Sequence, residues 1–129
     1  MKVNALRGAY LAYWYGKACG KRVFMTTCNN RDECMIDLIN CDDNQFVEVY
    51  RPEDDPVSIL AAITNYSLEI KHEDDTPLVV VIYHEYDYEG FLTRRFYTSS
   101  ICIEEAVMKT VVKIKYGLEL PDQQREATS

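Results

Sequence analysis

Histidine and carboxylate side chains held together can bind a divalent cation or pass a proton, and the chain offers two such neighbourhoods. One is His72 with Glu73 and Asp74; the other is His84 with Glu85 and Asp87. Both histidines stand at ends of strand-like segments beside acidic turns, where a solvated imidazole is the ordinary outcome. Cys28, Cys34 and Cys41 suggest thiolate ligands, but their gaps of five and six residues do not fit the short knuckles of structural zinc sites, and no histidine lies nearby. With five cysteines, complete pairing within the chain is impossible, and Cys19, Cys28, Cys34, Cys41 and Cys102 are read as reduced thiols. Cys102 at a helix start could be an activated thiol; between Ile101 and Ile103 it reads as packing. No Gly-rich phosphate loop, Gly-x-Ser-x-Gly elbow or His-Glu-x-x-His occurs. The expectation is a protein without catalytic residues, metal or cofactor.

Contact chemistry is better represented. Ten tyrosines are many for this length, and Tyr86-Asp87-Tyr88-Glu89 alternates aromatic and acidic groups in a turn. Tyrosine combines area with a polar tip, so Tyr86, Asp87, Tyr88 and Glu89 are the candidate partner contact. The net charge is −7, yet residues 42–90 hold 13 of the 21 acidic side chains and 2 of the 14 basic ones, leaving 8 acidic against 12 basic elsewhere. That central block repels nucleic acid and would attract a basic protein surface. Arg94 and Arg95 supply a different possibility, phosphate binding, although neighbouring strand residues face opposite ways and only one could serve a given pocket.

Helix one runs from Asn4 or Ala5 to Cys19, with Leu6, Tyr10, Tyr13, Trp14 and Ala18 apolar, Asn4 as N-cap and Gly20 as stop. Gly8 and Gly16 weaken it but would permit close packing on a sheet. Arg22–Thr27 is strand-like. Residues 27–44 read as a surface insertion with a short helix over Arg31–Ile39, before a strand over Phe46–Tyr50. Asp55 caps helix two with Pro56 in its first position, and Ile59, Leu60 and Ile63 face inward. Three strands follow, Ser67–His72, Leu78–His84 and Phe91–Thr98, joined by short polar links. Thr98-Ser99-Ser100 offers capping hydroxyls to a last helix whose apolar stripe is Ile103, Val107, Val111 and Ile114, with Lys109, Lys113 and Lys115 mostly off it and Gly117 as stop. From about residue 121 the chain reads as a frayed tail. The order predicts one α+β domain over residues 1–129: a small antiparallel sheet, a three-stranded meander plus one or two extra strands, with helices at both chain ends and one in the middle.

Two stretches carry a family likeness. The opening pattern of Leu6, Gly8, Ala9, Leu11, Tyr13, Trp14, Ala18 and Gly20, the central Tyr50 and Pro52, and the closing Ala106, Met108, Lys109, Gly117 and Pro121 resemble the NinX-like family, small proteins of tailed bacteriophages and prophages. Val57, Ser58, Ile59 and Leu60 stand where that family carries Trp and paired glycines, and within the insertion Asn29 to Asn44 has no counterpart in it. The resemblance implies phage origin and a compact α+β sandwich, and brings no catalytic residues.

Together these readings make the chain a non-enzymatic phage accessory protein of the bacterial cytoplasm that binds a host protein. Alternatives are a small-molecule or nucleotide-sequestering module and, more weakly, an acidic mimic of DNA. No apolar run approaches the ~18 residues of a membrane span, and the opening residues lack the pattern of an export signal. No direct nucleic acid or membrane partner is expected, and the assembly is a monomer or a weak dimer.

Overall fold

The computed structural model describes residues 1–39 and 45–121; Cys41 with the rest of 40–44, and the tail from 122, lie outside them. A short 3-10 turn, Val3–Ala5, precedes helix α1, Gly8–Ala18. Strands β1 (Val23–Cys28), β2 (Arg31–Ile39) and β3 (Gln45–Val49) form one antiparallel sheet in the order β1-β2-β3. Helix α2, Pro56–Asn65, leads to strands β4 (Glu69–His72), β5 (Val79–Tyr86) and β6 (Leu92–Ser100), a second antiparallel sheet in the order β4-β5-β6. Helix α3, Ile103–Tyr116, follows. The α+β class and the helix placement are those expected; the strands outside the meander number three and make a sheet of their own.

Residues 27–44 are where the structure departs most from the sequence reading. Arg31–Ile39 is neither a helix nor a segment laid over the surface but β2, the middle strand of the first sheet, paired on both sides. Asn29 and Asn30, with φ of 53° and 63°, form the two-residue turn that joins it to β1. Asparagine tolerates this left-handed conformation, and a turn of this hand matches the twist of a hairpin. The nonlocal pairing then overrides a helical spacing of Met35, Ile36 and Ile39 that is equally present in the sequence.

Helices α1 and α3 pack against each other, α1 also against β1 and β2, and α3 against β5 and β6. The helices therefore form a central layer with a sheet on either side, and α2 rests on α3. Gly16 is where α1 meets the first sheet: a Cβ there would lie 2.8 Å from both Tyr50 and Val23 side-chain carbons. Trp14, fully buried, meets the Tyr13 and Tyr116 rings edge-on at 5.4 and 5.3 Å. Asp55 caps α2 as expected, its Oδ1 accepting from the Val57 and Ser58 amides at 3.2 and 3.3 Å. Leu60 is exposed and Ala62 takes the buried place beside Ile59. The N-cap of α1 is Arg7, not Asn4, and Gly8 is a left-handed residue (φ +53°) that turns the chain into the helix. Cys102 caps α3 in place of Thr98 or Ser99, while the Ser100 hydroxyl accepts from the Cys102 amide at 3.1 Å.

A larger correction concerns α3. Eight consecutive residues, Ala106–Lys113, are buried, because the helix has neighbours on every side. Lys109 and Lys113 are not on a solvated face: they are 3% and 2% exposed. The Lys113 ammonium donates to the Tyr97 carbonyl at 3.0 Å and to Thr98 Oγ1 at 2.9 Å. Thr110 joins the same group, lying 2.9 Å from Thr98 Oγ1 and donating to the Ala106 carbonyl at 2.8 Å. Lys109 Nζ pairs with Glu105 at 2.7 Å and donates to the Asn4 carbonyl at 3.0 Å.

Burial, and then the neighbouring Lys109 charge, push the Lys113 ammonium down from its ordinary 10.5 to about 8. Between those pH values the unfolded chain keeps a proton that the fold releases, so this group's contribution to stability rises with pH there. The penalty is fully present below about 8. At roughly 1.4 kcal/mol per unit the whole effect is at most about 3 kcal/mol. Denaturant titration of wild type and Lys113→Met between pH 7 and 10.5 is expected to show the wild type gaining relative to the variant. A constant difference across that window would mean that the ammonium is solvated.

Candidate functional site

The β5–β6 hairpin is built to hold its tip rigidly away from the body of the protein. At its base Tyr83 stacks on Phe96 at 6.3 Å. One step outward, Arg94 grips Glu85 with two bonds, Nε to Oε2 at 2.6 Å and Nη2 to Oε1 at 3.0 Å. The same guanidinium donates through Nη1 to the Ile114 carbonyl in the last turn of α3, at 3.2 Å. A cation there satisfies a terminal carbonyl and opposes the negative end of the helix dipole. Tyr83 Oη and Thr93 Oγ1 add bonds to Glu85. The Arg94 hydrogen bonds hold the Glu85 carboxyl below its ordinary range, with Tyr83 and Thr93 acting the same way and burial opposing.

Beyond this brace the turn is organised by one side chain. Asp87 Oδ1 accepts from the backbone amides of Glu89 and Phe91, both at 2.9 Å, and the Asp87 amide donates to the Phe91 carbonyl at 2.9 Å. The Gly90 amide donates to the Asp87 carbonyl at 3.0 Å, with Gly90 at φ +90°. A register shift between Glu85 and Tyr86 re-aims the end of β5, so that Tyr86 pairs with Leu92. The result is an apolar cap: Tyr88 is 97% exposed, Phe91 66%, Tyr86 58% and Leu92 48%. Four large apolar side chains gathered in water on a braced turn form a contact surface, unlike a single exposed leucine.

Of the four residues singled out from sequence, Tyr86, Tyr88 and Glu89 stand exposed at the tip, while Asp87 builds the turn that presents them. Phe91 and Leu92 belong to the cap and were missed; the signal was two apolar residues directly behind a glycine turn, read only as the start of a strand. Arg94 and Arg95 face opposite ways as alternation requires: Arg94 is taken up by Glu85, while Arg95 lies over the Tyr97 ring at 5.3 Å. His72 and His84 do not meet, since His72 pairs with Val79, five positions before His84 on β5, or about 16 Å at strand rise. Among the described residues no group of three or more His, Cys, Asp or Glu could hold a metal ion. Cys34 is buried, and burial pushes its thiol up to about 12; Cys19 and Cys102 are raised by the same cause. Each shift runs opposite to the lowering that activates a thiol. Below the hairpin an open cleft of about 580 Å³ runs between Tyr66 at the end of α2 and His84 and Tyr86 of β5.

Asp87→Ala removes the acceptor of two amides and is expected to lower stability by about 1 kcal/mol. Exchange of the Phe91 amide should quicken more than that of core strands. Glu89→Gln at the same tip should stay within about 0.5 kcal/mol of wild type. Equal effects of the two substitutions in denaturant titration would contradict the distinct role given to Asp87. No family model matches this sequence and no curated protein is similar to it, so the hairpin's role rests on its own geometry.

Proposed function

We propose that this chain is a phage-encoded, non-enzymatic accessory protein of the host cytoplasm that acts by binding a host protein through the tip of the β5–β6 hairpin. The observation that carries the reading is the apolar cap of Tyr86, Tyr88, Phe91 and Leu92 on a turn braced at Glu85 and Arg94. A preorganised aromatic surface loses little conformational entropy on binding and can supply the central anchors of an interface. Phage origin is supported by the resemblance of both chain ends to NinX-like proteins. No helix of the described residues is long and apolar enough to cross a membrane.

The nucleotide-binding alternative loses its original support at Arg94, whose guanidinium is engaged by Glu85 and the end of α3. The DNA-mimic alternative fares no better. Asp55, Glu85 and Asp87 serve a cap, an ion pair and a turn, and Glu69 pairs with Lys71 at 3.7 Å. These four carboxylates, committed to local duties, are not free to stand in for phosphates.

Tyr88→Ser with Phe91→Ser leaves Asp87 and the brace intact and alters only exposed side chains. Pull-down from a bacterial lysate is expected to recover a discrete partner with wild type and at least ten-fold less with the double variant, a loss of about 1.4 kcal/mol or more. Equal recovery would overturn the hairpin reading. Neither β1 nor β3 pairs with β6, which stays an edge strand of its sheet. Light scattering at micromolar concentration is expected to give a monomer, with at most a weak dimer. A stable tetramer would contradict this and reveal a larger interface.

A further inference from the structure

A second surface, sharing no residue with the hairpin tip, has the opposite electrostatic character. Between the N-terminal segment and the end of β6 lies an open pocket of about 560 Å³ lined by Asn4, Arg7, Tyr97, Ser99, Glu105, Lys109 and their neighbours. Lys113 stands behind its wall, on the Tyr97 carbonyl. Among the described residues Glu105 is the one carboxylate paired with any of these cations, and its Oε1 is shared by Arg7 at 3.1 Å and Lys109 at 2.7 Å. Two cations thus share one anion, one of them on a buried lysine, with the buried Lys113 ammonium behind them, in a chain whose net charge is −7. Buried charge without compensation is costly, and an anion entering from solvent would supply it.

We propose that this pocket binds a small phosphomonoester. The spare donors suit a group with three acceptor oxygens. Arg7 uses only Nη1, on Glu105 and on the Asn4 and Leu6 carbonyls, which leaves Nε and Nη2 of its planar fork. The three N–H donors of Lys109 Nζ meet two acceptors, Glu105 Oε1 and the Asn4 carbonyl. The Ser100 hydroxyl accepts from the Cys102 amide and keeps its own proton to give, and the exposed Ser99 also lines the pocket. The half-exposed Tyr97 ring and the exposed Ile101 form an apolar wall for the organic part of the ester.

Amide NMR titration at low salt with inorganic phosphate, phenyl phosphate and benzoate tests the site and its chemistry. Saturable shifts are expected at Arg7, Ser99, Ile101 and Lys109, with phenyl phosphate binding more tightly than phosphate and benzoate about ten-fold more weakly. Arg7→Gln should weaken phosphate binding roughly five- to ten-fold, through loss of a charge-assisted fork. Ser99→Ala, a change at an exposed hydroxyl, should weaken it with the unliganded spectrum intact. Absence of saturation, benzoate binding as tight as phenyl phosphate, or unchanged affinity in both variants would overturn the proposal.

Discussion

The rest of the structure depends on the burial of α3 from all sides. Once a helix has a second helix on one flank and a sheet on the other, every residue of its middle turns must be accommodated away from water, whatever its type. Here that includes Lys109, Thr110 and Lys113. Their polar atoms are matched to groups on two other segments, the Asn4 carbonyl in the N-terminal turn and Thr98 with the Tyr97 carbonyl on β6, and to Glu105 one turn earlier on α3 itself. Losing one partner would strand a buried donor, which costs more than the bond itself contributes. The network therefore fixes the register of α3 on β6 and ties down the chain's first residues.

That fixed register extends to the hairpin. Arg94, four residues before Thr98 on the same strand, reaches the last turn of α3 at Ile114 while holding Glu85 across the pair. A helix placed by buried lysines thus braces, through one guanidinium, the base of a turn whose tip is apolar and open. Buried polar groups give order without much net stability, and the exposed aromatics draw on that order to keep one presentation instead of collapsing onto the nearest sheet.

Charge is segregated in the same way. Four carboxylates of the acidic middle, Asp55, Glu69, Glu85 and Asp87, serve capping, pairing and turn formation, whereas Arg7, Lys109 and Lys113 of the ends gather where the N-terminal turn meets α3 and β6. Net charge describes long-range attraction. The local balance around Arg7, Lys109 and Lys113 has the other sign, because folding brings Arg7 from the start of the chain to two lysines near its end.

By itself, the sequence determined whatever depends on neighbours in the chain. The Asp55-Pro56 start of α2, the Gly117 stop of α3 and the short links of the meander were legible, because caps and turns are local chemistry. So was the aromatic turn at Tyr86–Glu89, although its builder and its presenters were not told apart, because only a folded turn shows that the Asp87 carboxylate faces two backbone amides. Tertiary structure decided the rest. Arg31–Ile39 carries a spacing compatible with helix or strand, and pairing with β1 and β3 chose strand. Lys109 and Lys113 carry the charge of a solvated face, and a second sheet over α3 placed them inside. In both cases the deciding contacts come from remote segments, and no window of local sequence contains their energy.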